Sequence, residues 1–295
     1  MRVTNSMMVR NILGHLQNNM EDLNNLNEQL SSGKLFQKPS DSPIKVSDSL
    51  NYKSILNHNT QYQRNLGQAE NWLNSTESAL KSGTEVIQRA RELTIYASTD
   101  SLTAEDRNKI ASEVKQLRDE LIDISQAKQG ENYIFSGQRI DQKPFDINKT
   151  PSYTVDYQGD KRGITRQFND GVEMKINLNG EDVFKKDIEA LNDLYEELKN
   201  GGSGEDIGNY VEDMDISIDN FINLRSQIGA KLNRVRMTES RLTSEELHIT
   251  KMKSENEDVD LAEVITNLKM EETVYRASLA SGSRIMQQSL VDFMR

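Results

Sequence analysis

The residues with the chemistry to act as ligands, acids or nucleophiles are few, and their spacing does not group them. The three histidines, His15, His58 and His248, lie far apart, and none falls in a His-Glu-x-x-His or similar metal-binding pattern. Asp213, Asp215 and Asp219 could act as acid, base or metal ligand, but no other polar set converges with them, and their spacing reads as a solvated helix face. Gly202-Ser203-Gly204 with Gly208 has the composition of a phosphate loop. It follows a helical pattern rather than a strand, so a flexible linker is expected. The acidic run Glu255-Asn256-Glu257-Asp258-Val259-Asp260 lacks the glycine and spacing of a calcium loop and reads as a solvated hinge. Trp72, the single tryptophan, lies beside a helical seam and reads as core. Asn74-Ser75-Thr76 and Asn148-Lys149-Thr150 match a glycosylation pattern short enough to arise by chance. No cysteine occurs, which removes thiol chemistry and disulfides. These residues predict no catalytic, cofactor-binding or metal-ligating set, hence no cofactor and no enzyme.

The elements around these residues are dominated by heptad-like stripes. The first runs Val9, Leu13, Leu16, Met20, Leu23, polar Asn27, Leu30, in steps of four and three that make a coiled-coil seam. Ser31-Ser32-Gly33 stops it, with Pro39 and Pro43 beyond. A second helix is expected from about Ile44 to Ser98, with the seam Ile55, Asn59, Tyr62, Leu66, Ala69, Leu73, Thr76, Leu80, Gly83, Ile87, Ala90, Thr94, Ala97. Thr103 is placed as N-cap of a third, answered by Asp106, with Ile110, Val114, Leu117, Leu121 and Ile124 on one face and Gly130 ending it. From about Tyr133 to Phe184 the period changes to two, as in Tyr153, Val155, Tyr157 and in Val172, Met174, Ile176, Leu178. This predicts three or four half-buried strands, with turns at Gly159-Asp160, Asn169-Asp170-Gly171 and Asn179-Gly180. Helix resumes near Lys186 (Ile188, Leu191, Leu194, Tyr195, Leu198). A long helix follows the glycine run, on the seam Ile207, Val211, Met214, Ile218, Phe221, Arg225, Ile228, Leu232, Val235, Glu239, Leu242, Glu246, Ile249. A last stripe holds Leu261, Ile265, Leu268, Tyr275, Leu279, Met286 and Phe293, with Gly282 on the same line allowing close approach.

The predicted fold is therefore mainly α with a small β insertion: an elongated rod of long antiparallel helices. Its N- and C-terminal helices pair in a coiled coil, and a β-rich domain lies outward. A helix of about 50 residues spans roughly 75 Å. The expected segments are residues 1–43 (terminal helix and loop), 44–136 (helical core), 137–185 (β insertion), 186–257 (helical core) and 258–295 (terminal helix). The composition agrees, with 35% hydrophobic and 28% charged residues, since a long helix buries only a narrow stripe. A net charge of −11 speaks against nucleic acid or an anionic membrane as partner. No run is long and apolar enough to insert in a membrane, and the start, Met1 to Arg10, has no signal-peptide core. The chain is expected to be cytoplasmic or exported by a route that needs no such signal.

The terminal stripes, Val9, Leu13, Leu16, Met20, Leu23 and Leu30 with Leu261, Ile265, Leu268, Tyr275, Leu279, Met286 and Phe293, form a predicted assembly seam. Two narrow stripes bury too little to order some sixty residues by themselves. Residues before about Pro43 and after about Asp258 are therefore expected to be mobile in a free monomer and to order against neighbours. Polar seam residues such as Asn27, Glu272 and Ser289 would fix register.

Four blocks, in order, carry a resemblance to the flagellin superfamily. They are Met1-Arg2-Val3-Thr4-Asn5-Ser6-Met7; Leu30-Ser31-Ser32-Gly33-Lys34 with Pro39-Ser40-Asp41-Ser42-Pro43; Asn132-Tyr133-Ile134-Phe135-Ser136-Gly137 with Pro144-Phe145; and Asp260-Leu261-Ala262-Glu263 with Tyr275-Arg276-Ala277-Ser278-Leu279 and Ser289-Leu290-Val291-Asp292-Phe293. Within the superfamily they look like the proteins of the hook–filament junction. The family often has two aspartates after the serine of the second block, where this chain has Asp41 followed by Ser42. The resemblance implies an inner coiled-coil layer of terminal helices and export through the flagellar type III apparatus with its chaperone. It also implies assembly as a ring of copies between the other hook-associated junction protein and flagellin, outside the cell in the flagellum. Two alternatives stay open: a flagellin filament subunit, and a cytoplasmic coiled-coil scaffold.

Overall fold

The computed structural model describes residues 5–99, 102–148 and 153–293. In chain order the helices are α1 (Asn5–Ser32), α2 (Pro43–Ala97), α3 (Ala104–Ser125), α4 (Lys186–Asn200), α5 (Gly204–Glu257) and α6 (Leu261–Phe293). Between α3 and α4 lie six short strands: β1 (Lys128–Gln129), β2 (Asn132–Tyr133), β3 (Phe145–Asn148), β4 (Thr154–Tyr157), β5 (Thr165–Asn169) and β6 (Val172–Lys175). The chain is mainly α, as its periodicity predicts. It forms two compact units, residues 59–244 and residues 1–58 with 245–295, and α2 and α5 contribute to both. The division thus falls inside those two helices rather than at Pro43 and Asp258.

In the 59–244 unit, α2 and α5 run antiparallel. Arg225 of α5 bonds Glu77 of α2 at 2.9 Å, Arg236 bonds Glu70 at 3.1 Å, and Arg91 pairs with Asp215. Arg225 therefore interrupts the apolar seam without leaving a bare charge. The α2 seam is buried from Asn59 through Leu66, Leu73, Leu80, Ile87 and Thr94 to Ala97. Gly83 is required by packing: a Cβ there would lie 2.6 Å from the Phe221 ring. That ring sits edge-on to Phe184, 5.7 Å between centroids. Helix α2 also buries a second stripe at seven-residue spacing, Trp72, Ala79, Val86 and Leu93, which a single-seam reading leaves out.

Thr103 caps α3 as expected: its hydroxyl oxygen accepts from the Asp106 N–H at 3.2 Å and its O–H donates to the Asp106 carboxylate at 2.7 Å. Gly130 does not end α3, which stops at Ser125; it takes the positive-φ position of the two-residue β1–β2 hairpin. The glycine run before α5 is not a loose linker. Gly201 closes α4 in the left-handed conformation, φ 80°. Ser203 repeats the Thr103 cap on Asp206, at 3.1 and 2.6 Å.

The insertion holds β3–β4 and β5–β6 as separate antiparallel hairpins. Gly137, at φ 67°, could carry no side chain, since a Cβ would lie 1.7 Å from the Asp160 carbonyl oxygen. A single π-helical turn, Glu181–Lys185, leads into α4. Just beyond it Asp187 is buried, with Oδ1 2.5 Å from the Ser217 hydroxyl of α5 and no partner for Oδ2 among the described residues. Burial raises its pKa to about 6.

Candidate assembly site

Helices α1 and α6 pair antiparallel, with Asn19 donating to the Ser278 hydroxyl at 3.4 Å and a Gly282 Cβ position 3.1 Å from Ile12. These contacts identify the face each helix turns to the other. On α1 the sheltered positions are Val9, Ile12, Leu16, Asn19, Leu23, Leu26 and Leu30, a regular three–four heptad. On α6 they are Val264, Leu268, Glu271, Tyr275, Ser278 and Gly282, the same rhythm, with Glu272 half-buried beside them.

The predicted seam separates into two sets. Val9, Leu16, Leu23, Leu30, Leu268 and Tyr275 lie on the face buried or half-buried within the chain. Leu13 (51% exposed), Met20, Ile265 and Leu279 stand one residue past the sheltered positions, in solvent; Leu261, one turn before Val264, is exposed as well, and Met270 and Val274 are exposed on the opposite flank of α6. The side chains of Met286 and Phe293, like that of Ser289, lie outside the described residues. Sequence reading missed Ile12 and Val264 because the neighbouring phase, Leu13 and Ile265, is equally apolar, and it missed Leu26 by carrying that phase on through polar Asn27. Asn27 bonds the Leu23 carbonyl of its own helix and Glu272 pairs with Lys269, so neither reaches across the pair; Asn19 does. Among the described residues of this unit, the buried hydrophobic side chains are Val264 and Leu268, whereas the hydrophobic core cluster draws all its members from residues 66–242.

The base of the pair is polar. Gly33, at φ 67°, ends α1 and accepts at its carbonyl from the Val259 N–H, while the Leu35 N–H bonds the Glu257 carbonyl at 2.7 Å. Lys34 reaches Asp258 at 2.6 Å and Glu257 at 3.1 Å, Lys53 reaches Glu257 at 3.3 Å, and the Ser49 hydroxyl donates to Glu257. The expected solvated hinge is thus a built junction with Glu257 buried. Its hidden feature is that the partners come from residues 34–53, over two hundred positions away in sequence, where no local pattern points. Burial works to raise the Glu257 pKa, but Ser49, Lys34 and Lys53 together hold it below the usual glutamate value. Asp258 is lowered by Lys34 and then Ser254, and Lys34 is raised chiefly by Asp258. Asp260 caps α6, accepting from the Ala262 N–H at 2.9 Å. Asp41 closes the loop before α2 by accepting from the Gln37 and Lys38 N–H groups, which lowers its pKa.

The residues with other chemistry do not assemble. His15, His58 and His248 are exposed on α1, α2 and α5. Asp215 is taken by Arg91, and Asp213 and Asp219 face solvent. Among the described residues no group of three or more histidines and carboxylates is placed to hold a metal ion, and no helix is long and apolar enough to cross a membrane.

The bacterial flagellin N-terminal helical region matches residues 3–139, and the bacterial flagellin C-terminal helical region matches residues 211–294. Flagellar hook-associated protein 3 of Salmonella typhimurium is 25% identical over the whole of both chains. Its counterpart from Escherichia coli K12 is 26% identical over 94% of this chain and 95% of that one. The crystal structure of the flagellar junction protein FlgL from Legionella pneumophila, 15% identical, superposes with a TM-score of 0.61 over 72% of this chain and all of that one, a likeness of fold.

Proposed function

The chain belongs to the flagellin family, and from that premise we propose that it is a non-enzymatic structural subunit of the bacterial flagellum that joins hook to filament. The full-length likeness to hook-associated protein 3 supports the junction rather than the filament itself. The observation that carries the mechanism is the second apolar edge of the terminal pair. Leu13, Met20, Leu261, Ile265 and Leu279 stay in solvent after α1 and α6 have satisfied each other. Burying each gains roughly 1.5–3 kcal/mol. Neighbouring copies in a ring supply the missing surface, so that the terminal helices gain stability as the subunit assembles. The other hook-associated junction protein and flagellin flank that ring, and the chain reaches it through the flagellar export chaperone and type III apparatus.

Labelling a tagged chain on isolated flagella tests this directly. A single focus where hook meets filament is the expected result. Label distributed along the filament indicates a flagellin, and absence from flagella altogether removes the proposal.

A further inference from the structure

The chain has 11 methionines and no cysteine, so methionine thioethers are its only sulfur open to oxidation. They differ in exposure. Met174 and Met214 are buried in the 59–244 unit. Met20 (54% exposed), Met270 and Met237 (68%) stand in solvent, as do Met7 and Met8. Met237 belongs to α5 within the 59–244 unit, whereas Met20 belongs to the terminal pair. Of these methionines, Met20 alone is part of the exposed edge formed with Leu13, Leu261, Ile265 and Leu279. It stands one residue past Asn19, whose amide bonds Ser278 across the pair. Its four companions on that edge are aliphatic and inert to peroxide. Met20 is thus the one member of the edge whose polarity an oxidant can change.

We propose that Met20 is an oxidation site that makes assembly redox-sensitive: peroxide converts its thioether to the sulfoxide in the free subunit, and the oxidised edge no longer joins neighbouring copies. The inference rests on the assembly reading above. A sulfur lone pair attacks one peroxide oxygen, the O–O bond breaks, an S–O bond forms and water leaves, so the sulfur is oxidised and the peroxide reduced. A polar acceptor then stands where an apolar group stood. Burying it among a neighbour's apolar side chains without a donor is unfavourable. In solvent it is hydrated, so the subunit keeps its fold and only association suffers. Methionine sulfoxide reductases restore the thioether, which makes the change reversible. Once assembled, the edge is covered, so the free subunit is the vulnerable form.

Peptide masses of the purified full-length chain after hydrogen peroxide give the first readout. Met20 and Met237 are expected to gain one oxygen atom well before Met174 and Met214. The second is incorporation, measured as tagged chain in isolated flagella relative to tagged chain left in the medium. Met20→Gln imitates the sulfoxide's polarity permanently and is expected to lower that ratio about tenfold or more. Met237→Gln, exposed but off the edge, should leave it unchanged. Met20→Leu keeps the edge apolar. It should match the parent in plain medium and exceed it several-fold when peroxide is present. The proposal is overturned if Met20 oxidises no faster than Met214, if Met20→Gln incorporates like the parent, if Met237→Gln is as defective, or if peroxide lowers Met20→Leu as much as the parent. Should the circular dichroism of Met20→Gln depart from the parent's, the peroxide comparison with Met20→Leu decides alone. Absence of the parent itself from flagella sinks the assembly reading; a parent that incorporates no better than Met20→Gln while present in flagella sinks only the redox inference.

Discussion

Asp187→Asn is expected to stabilise the 59–244 unit, and only above mildly acidic pH. The Asp187 carboxyl rises from its ordinary 3.8 to about 6 because burial disfavours its charge. The raised value means that between these two pH values the folded protein holds a proton the unfolded chain has released. Stability therefore falls as pH climbs through this window, and the full penalty applies above it. A shift of about two units corresponds to about 3 kcal/mol. The hydrogen bonds suggest how the neutral form is accommodated: the protonated carboxyl donates to the Ser217 oxygen, and Ser217 donates to the Asp213 carbonyl 2.9 Å away. The ionised form leaves Oδ2 without a donor among the described residues. An asparagine supplies the N–H permanently. Urea unfolding followed by Trp72 emission reads this unit specifically, because the single tryptophan lies inside it. The variant should gain about 2–3 kcal/mol at pH 8, and the gain should vanish as pH falls below about 4. No gain at pH 8, or a gain unchanged by pH, refutes the reasoning.

Leu13→Asp and Leu279→Asp, both on the exposed edge, should leave the circular dichroism of the free subunit intact and abolish its incorporation into flagella. Leu16→Asp, on the sheltered face, should disturb both, and normal incorporation of Leu13→Asp and Leu279→Asp removes the assembly mechanism. Gly137→Ala should cost roughly 3 kcal/mol or more in urea unfolding, since it meets a carbonyl oxygen and a positive φ at once. Glu257→Gln should lower the protection of α1 and α6 amides at neutral pH and have little effect in acid. The lowered folded-state pKa contributes stability that is present at neutral pH and lost as pH falls below the usual glutamate range. Hydrogen exchange on the dilute subunit should find the α1 and α6 amides least protected, because the hydrophobic core cluster lies within residues 66–242; equal protection throughout contradicts coupled ordering.

Long seams were legible because phase accumulates. The thirteen positions read along α2 keep one rhythm, and those from Leu66 to Ala97 are buried. The cap of Thr103, the stop at Gly33 and the turn at Gly171 were legible because their chemistry is local. What escaped the sequence is non-local or one residue deep in ambiguity. Ile12 and Leu13 are adjacent and both apolar, so only the Gly282 contact tells which faces α6. Glu257 reads as one more acid in an acidic run until Lys34, Lys53 and Ser49 arrive beside it. Ser203 hides in a glycine run whose composition suggests looseness. Trp72 was read as core, and it is buried.

The bond between Lys34 and Glu257 joins positions 223 residues apart. During synthesis, a growing polypeptide displays its first helix long before the residues that brace it exist. Each half of the adhesive edge is likewise encoded at an opposite extremity. An unfinished product thus owns only one side of the clasp and one part of the sticky surface. On the proposed assembly reading, competence to polymerise arrives only once α6 has been made, and chains lacking it are poorly equipped to poison a growing structure.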